Sequence, residues 1–152
     1  MATYHRILGI DPGEKRIGLA LSDPLGITAQ GLPTLQVRSP SDAAEKIAGI
    51  AGQADVNTIV VGLPLNMDGT EGDQARRAHR LGARLKDILH LPVLFRDERL
   101  TSRQANQILL EGDLSRDRRK KEIDRVAAQL ILQSYLDEQA NYGVGTDNGS
   151  KN

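Results

Sequence analysis

The chain has no cysteine, which excludes disulfides, thiolate metal sites and a cysteine nucleophile, and suits a reducing compartment. Aromatic residues are scarce, at 3% of the composition, so a stacking platform for bases is not expected. Recognition of a nucleic acid would then rest on backbone and shape. An excess of either charge is also missing, because 20 Lys and Arg balance 20 Asp and Glu. Any electrostatic partner must therefore show in local distribution. No long apolar run precedes the first strand, since MATYHRILGID leads straight into it, and a cytoplasmic protein with no membrane association is expected. What is present is ordinary for a globular chain: 152 residues, 39% hydrophobic and 26% charged. That suits one domain over residues 1–140. The tail NYGVGTDNGSKN, residues 141–152, has little to bury and reads as disordered.

The most informative stretch is ILGIDPGEKRIGLALSD, Ile7 to Asp23. Two apolar runs flank Pro12-Gly13, and Ile17, Leu19 and Leu21 alternate with Gly18, Ala20 and Ser22, the period of a strand. The stretch predicts a β-hairpin with Asp11 at its tip. The small residues on one side predict that something packs closely there. Asp11 then stands where a central strand ends, a place to hold a cation or phosphate; a turn-forming Asp before Pro-Gly is the plainer alternative.

Strands are expected at Tyr4–Ile10, Arg16–Ser22 and about Ile27–Val37, the third interrupted by Gly31 and Pro33. Ser39 reads as an N-cap with Pro40 at the first helical position, and Ala43, Ala44, Ile47, Ile50 and Ala51 follow at helical spacing to about Gln53. Thr58–Gly62, TIVVG, is a buried parallel strand by its β-branched run. The loop LPLNMDGTEG leads to a helix over Gly72–Leu89 with Ala78, Leu81, Leu85, Ile88 and Leu89 on its apolar side. Val93–Arg96 is a short strand ending in Asp97-Glu98-Arg99. Thr101 and Gln104 form a capping box for a helix stopped by Gly112, and a charged loop from Asp113 to Arg119 precedes a last helix over Lys120–Gln139. The order predicts an α/β fold, an antiparallel meander joined to parallel strands with crossover helices on the sheet faces. Ligands of such sheets gather at strand carboxyl ends, where Asp11 and Glu98 lie.

On the last helix, Ile123, Val126, Ala127, Leu130, Ile131 and Tyr135 define an apolar arc, and Asp124 falls within it. An acid in a first turn gains about 0.3–1 kcal/mol from the helix dipole, whereas burying an unpaired carboxylate costs several kcal/mol. A counter-charge or metal explains its direction better. Glu98 has a plain alternative, an ion pair with Arg96 or Arg99. If Asp11, Glu98 and Asp124 converge, they repel unless cations neutralise them, and oxygen-only ligands select Mg²⁺ or Mn²⁺ over zinc. Two such ions binding a phosphate between them would activate a water and stabilise the leaving oxygen.

Four motifs in order, IDPGEKRIGLALSD, VVGLPLNMDGTEG, RDERLTS and EIDRVAAQLILQSYLD, resemble the YqgF (RuvX) family of Holliday-junction-resolvase-like proteins, regarded as nucleases that process the precursor of small-subunit ribosomal RNA. The resemblance spans about Tyr4 to Asp137. It implies a ribonuclease-H-like fold with a mixed five-stranded sheet and helices on both faces, metal-dependent phosphodiester cleavage, and a catalytic, metal-binding set of Asp11, Glu98 and Asp124. Unlike the junction resolvases proper, the chain has no acid at the end of its fourth strand, where Gly62-Leu63-Pro64 stands, and Glu98 takes that duty.

Basic residues supply the nucleic-acid signal. Arg76, Arg77, Arg80 and Arg84 form a stripe on one helix, and Arg116, Arg118, Arg119, Lys120 and Lys121 precede Asp124; both sets suit phosphate backbone. Lys15, Arg16 and Arg99 lie beside the acids, and the Gly69 and Gly72 amides could meet phosphate at a helix N-terminus. A solvated face and a flexible connection are the corresponding plain readings, and Asp68 and Glu71 could help hold metal but read more plainly as solvated loop acids. His5, His79 and His90 lack ligand spacing. An RNA precursor is favoured over branched DNA as partner, and homodimer formation is left open. Two further readings stay open, a non-catalytic RNA-binding or assembly factor and an actin-like ATPase or phosphotransferase. The latter needs two such domains around a nucleotide.

Overall fold

The computed structural model describes residues 6–99 and 116–150, with side chains described for 6–99 and 123–140. The helix and charged loop read at Thr101–Gly112 and from Asp113 lie largely outside the described residues. Strands β1 (Arg6–Asp11), β2 (Arg16–Ser22), β3 (Ala29–Gln36), β4 (Val56–Leu63) and β5 (Val93–Asp97) form one sheet in the order β3-β2-β1-β4-β5. β2 is antiparallel to β1 and β3, while β1, β4 and β5 are mutually parallel. The carboxyl ends of these three strands therefore share one end of the sheet, with β1 at its centre.

Helices α1 (Pro40–Gln53) and α2 (Asp73–Leu89) cover one face, and α3 (Arg116–Ser150) the other. Period-2 alternation decides which residues meet which helix. Leu8, Ile10, Ile17, Leu19, Ile59 and Val61 pack under α1 and α2. Ile7, Ala20 and Val60 pack against Ala128, Ile131, Leu132 and Leu136 of α3. Small residues on this second face admit the helix: a Cβ at Gly9 would stand 2.7 Å from Leu132 Cβ.

The expected caps form. Ser39 Oγ accepts the Asp42 amide at 3.1 Å, Asp42 accepts the Arg38 amide at 2.8 Å, and Ala43, Ala44, Ile47 and Ala51 are buried. β3 is continuous across Gly31 and Pro33. Its register against β2 shifts there, which an edge strand tolerates because the missing Pro33 donor costs no ladder bond on the open side.

Three expectations are corrected. Ile88 is half exposed, because the buried stripe of α2 runs through Ala75, Ala78, Leu81, Gly82 and Leu85, and Phe95 and Val93 reach the helix at Gly82. The buried arc of α3 is centred on Ala127, Ala128, Ile131, Leu132 and Leu136, while Val126 and Leu130 lie on its flank. α3 also exceeds Lys120–Gln139 at both ends, its backbone running from Arg116 to Ser150. Propagating a helix fixes one residue per bond, so a long packed nucleus can carry weak formers behind it.

Candidate active site

Asp11 is the last residue of β1 and pairs across to Gly18 of β2. It lies on the α3 face because it follows Ile7 and Gly9 in the alternation. Glu98 follows β5 directly, and its amide donates to the Leu63 carbonyl at 3.3 Å, which ties the turn to the end of β4. It is 8% exposed, the single buried charged residue among the described residues. Its Oε2 lies 2.4 Å from where a Cβ on Gly62 would stand. The missing acid of the fourth strand is thereby explained: Glu98 occupies the space that a side chain at 62 would need.

Asp124 sits on α3 in line with Ala128 and Ile131. Its Oδ2 is buried and accepts no hydrogen bond among the described residues, facing Arg16 Nε at 3.4 Å in an ion pair.

The Asp11 and Glu98 carboxyls lie near enough to perturb each other. Although Asp11 keeps some exposed area, burial of its carboxyl is the main cause that raises it well above the usual carboxylate range. The Glu98 charge and hydrogen bond add to the rise, as does the Asp124 charge. Burial also raises Glu98, opposed by the bond from Asp11 and assisted by the Asp97 charge. Burial raises Asp124 while Arg16 opposes it. Burial thus favours the neutral form of the first two acids, and the third leans on an arginine. Each is a carboxylate held charged only at a cost.

Such a set fits a hard divalent cation by donor chemistry: oxygen donors, a buried Oδ2 that accepts no hydrogen bond, and an Asp11 carboxyl that burial disfavours as an uncompensated charge. Among the described residues, no three His, Cys, Asp or Glu side chains are drawn together tightly enough to hold a metal ion. Ligation would require Asp11 to release its proton and Asp124 to loosen from Arg16.

The other expected residues divide. Lys15 and Arg16 line an open groove that contains Asp124, with Arg38 and Lys46, which the sequence reading missed. Arg77, Arg80 and Arg84 line a cavity on the opposite face of the sheet with Arg38, whereas Arg76 is absent from that lining and pairs with Asp73. Arg38 could have been noticed as a cation directly before the Ser39 cap. Arg99 is held by Asp97, at 2.6 Å to Oδ2, and donates to the Met67 carbonyl at 3.2 Å, so it anchors the loop after β4. The Gly69 amide donates to Asn66, which corrects its reading as a ready phosphate donor. Asp68 is lowered chiefly by its hydrogen bonds from Thr70, and Glu71 meets His79 at 2.7 Å; both stay in the loop's own network. His90 is the left-handed cap of α2, at φ 56°. The side chains of Arg116, Arg118, Arg119, Lys120 and Lys121 lie outside the described residues.

Residues 5–138 match the RuvX family, described as Holliday junction resolvase. The chain belongs to this family. A relative from Pelotomaculum thermopropionicum is 51% identical over 135 residues, covering 88% of each chain, and one from Streptococcus uberis is 46% identical, covering 87% of this chain and 97% of its own. Both carry the name "Putative pre-16S rRNA nuclease". Among solved structures, Thermus thermophilus RuvC in complex with a Holliday junction aligns with a TM-score of 0.57 at 13% identity, over 90% of this chain and 96% of that one. The fowlpox virus resolvase bound to Holliday junction DNA aligns at 0.55 and 13%, over 88% and 98%. The RuvX chain therefore has the ribonuclease-H-like fold that the motifs imply.

Proposed function

We propose that this RuvX member is a divalent-cation-dependent endonuclease that hydrolyses phosphodiester bonds in the precursor of small-subunit ribosomal RNA. One observation supports the reading: two buried carboxyls, Asp11 and Glu98, at the ends of β1 and β5 on either side of β4, with Asp124 of α3 near enough for its charge to raise Asp11. The relatives' shared name supplies the substrate, and the fold is that of nucleases whose solved complexes hold junction DNA.

Asp11, Glu98 and Asp124 would hold Mg²⁺ or Mn²⁺, two ions in this reading. Bound there, such ions lower the pKa of an attacking water and stabilise the departing oxygen. The chain's own residues do the rest. Asp11, raised by burial, would ionise when positive charge enters, leaving three carboxylates. Arg16, released from Asp124, becomes available to the substrate phosphate. Lys15, Arg38 and Lys46 extend the positive surface along the groove. Arg99 keeps the loop after β4 against the site. No nucleophilic side chain takes part, so no covalent protein intermediate forms. Among the described residues no helix is long and apolar enough to cross a membrane. A cytoplasmic place of action fits that substrate.

The test is incubation of purified protein with ribosomal RNA precursor and with four-way DNA junctions, in Mg²⁺, Mn²⁺ or chelator. RNA cleavage that needs the cation and is lost in Asp11→Asn is expected. Cleavage of junctions alone would reassign the substrate to branched DNA. RNA binding with no cleavage under any condition would replace the nuclease by an assembly factor.

A further inference from the structure

Four arginines from two elements face one cavity. Arg77, Arg80 and Arg84 come from α2, Arg38 from the segment before α1, and the floor includes Pro12 and Gly13 of the β1–β2 turn. The cavity measures about 280 Å³, at the bottom of the roughly 300–1,000 Å³ range of small-ligand sites, so it suits a small anionic group more than a whole nucleotide. Its cations are neutralised only in part: Arg38 meets the Asp42 charge, and Glu14 lines the cavity. Arg77 has only exposed Glu14 at 4.0 Å, Arg84 donates to the neutral Ser41 hydroxyl at 2.7 Å, and Arg80 makes no hydrogen bond or ion pair among the described residues. At the α1 N-terminus the Asp42 and Ala43 amides already donate to Ser39, to its hydroxyl and its carbonyl.

The cavity continues into the groove that holds Asp124. The two share Gly13, Glu14, Val37 and Arg38. Asp124 belongs to α3 on one face of the sheet, and the arginine cavity lies by α1 and α2 on the other. A path between them crosses the sheet end where β2 begins and β3 stops, at Arg16 and Gln36. A duplex, stiff over about 150 base pairs, does not fold over such an edge, whereas a single strand does.

We propose that the Arg38, Arg77, Arg80 and Arg84 cavity is a phosphate pocket for a single-stranded segment of the substrate, which leaves the acid site over the sheet end along Lys15, Arg16 and Lys46. This rests on the nuclease reading for the identity of the strand and predicts an unpaired flank on that side of the cleaved bond. The phosphate is either internal to the strand or at its end.

The test measures binding, so its failure is separable from failure of cleavage. Fluorescence anisotropy in chelator follows RNA of roughly 12 nucleotides, within single-strand site sizes, with hydroxyl or phosphorylated ends, and the matching duplex. Arg80→Glu is exposed and expected to fold, which its thermal midpoint verifies. It should weaken single-strand binding roughly tenfold, the scale of one charge-assisted contact, and flatten the salt dependence by about 0.7 per phosphate lost. Equal loss with either kind of end assigns an internal phosphate; loss confined to phosphorylated strands assigns an end phosphate, and both uphold the pocket. Lys86→Glu, on the same helix outside the cavity, should change little. No loss with Arg80→Glu, an equal loss with Lys86→Glu, or an equal loss on the duplex overturns the proposal.

Discussion

A Cβ on Gly18 would stand 1.9 Å from the backbone carbonyl oxygen of Asp124. Gly18 is also the partner of Asp11 across the β1–β2 ladder. One missing side chain therefore sets how near α3 comes to the strand that carries the first acid. The obstacle is backbone, so a methyl group can be admitted only by moving the helix. Gly18→Ala should cost about 1–3 kcal/mol of stability through overpacking, and cleavage should fall well beyond what that loss explains. Thermal unfolding with cleavage assays below the variant's midpoint will separate the two. Wild-type turnover by this variant would show that the approach of Asp124 to Asp11 is not needed.

The raised carboxyls of Asp11 and Glu98 make metal-free stability depend on pH. Both carboxyls are raised in the folded protein, so the native state keeps a proton that the unfolded chain has released. With more protons bound to the native state, stability falls as pH rises. Their contribution is full below the ordinary carboxylate range and is lost as pH climbs through the raised values. Asp11→Asn removes the more strongly shifted group. In chelator it should melt above wild type at pH 8, with the gap closing toward pH 4. Adding Mg²⁺ should raise the wild-type midpoint and leave the variant's nearly unchanged. A variant that melts lower than wild type at pH 8 would contradict the assigned burial cost.

Much of this arrangement was legible because it rests on local periodicity. The alternation around Gly18 and Ala20 announces a face that accepts something close, and α3 is what packs there. The inward set of Asp124 follows from helical spacing alone, even though the arc's true centre lies at Ala128 and Leu132. Contacts between distant segments were not legible. Nothing near Arg38 says that it will line one cavity with Arg80, and nothing near Gly62 says that Glu98 will lie over it. Arg99 reads as a phosphate ligand in sequence because its real partners, Asp97 and the Met67 carbonyl, are set by how the loop after β4 folds back.

Arg16 stands in for a cation at Asp124, and removing it should separate two effects. The pair is partly exposed, 35% and 20%, so its worth is discounted to about 0–1 kcal/mol. Arg16→Gln frees Asp124 of a competing charge, and Mn²⁺ affinity measured calorimetrically without substrate should rise by up to about fivefold. RNA binding should weaken, because the same residue lines the groove. Weaker Mn²⁺ binding would mean that Arg16 positions Asp124 for the ion instead of competing with it.

Gly62 offers the contrasting case to Gly18. A Cβ there would meet Glu98 Oε2 at 2.4 Å and Ile131 Cδ1 at 2.6 Å, both ends of side chains that can swing away. The fold should absorb Gly62→Ala for about 1 kcal/mol or less, at the gentle end of overpacking. The acid site should not absorb it, because the group displaced is the Glu98 carboxyl. Cleavage should drop by about as much as in Glu98→Gln, and the double variant should be no worse than either single one, since both act through the same carboxyl. Additive losses in the double variant would show that residue 62 affects cleavage by a route other than Glu98.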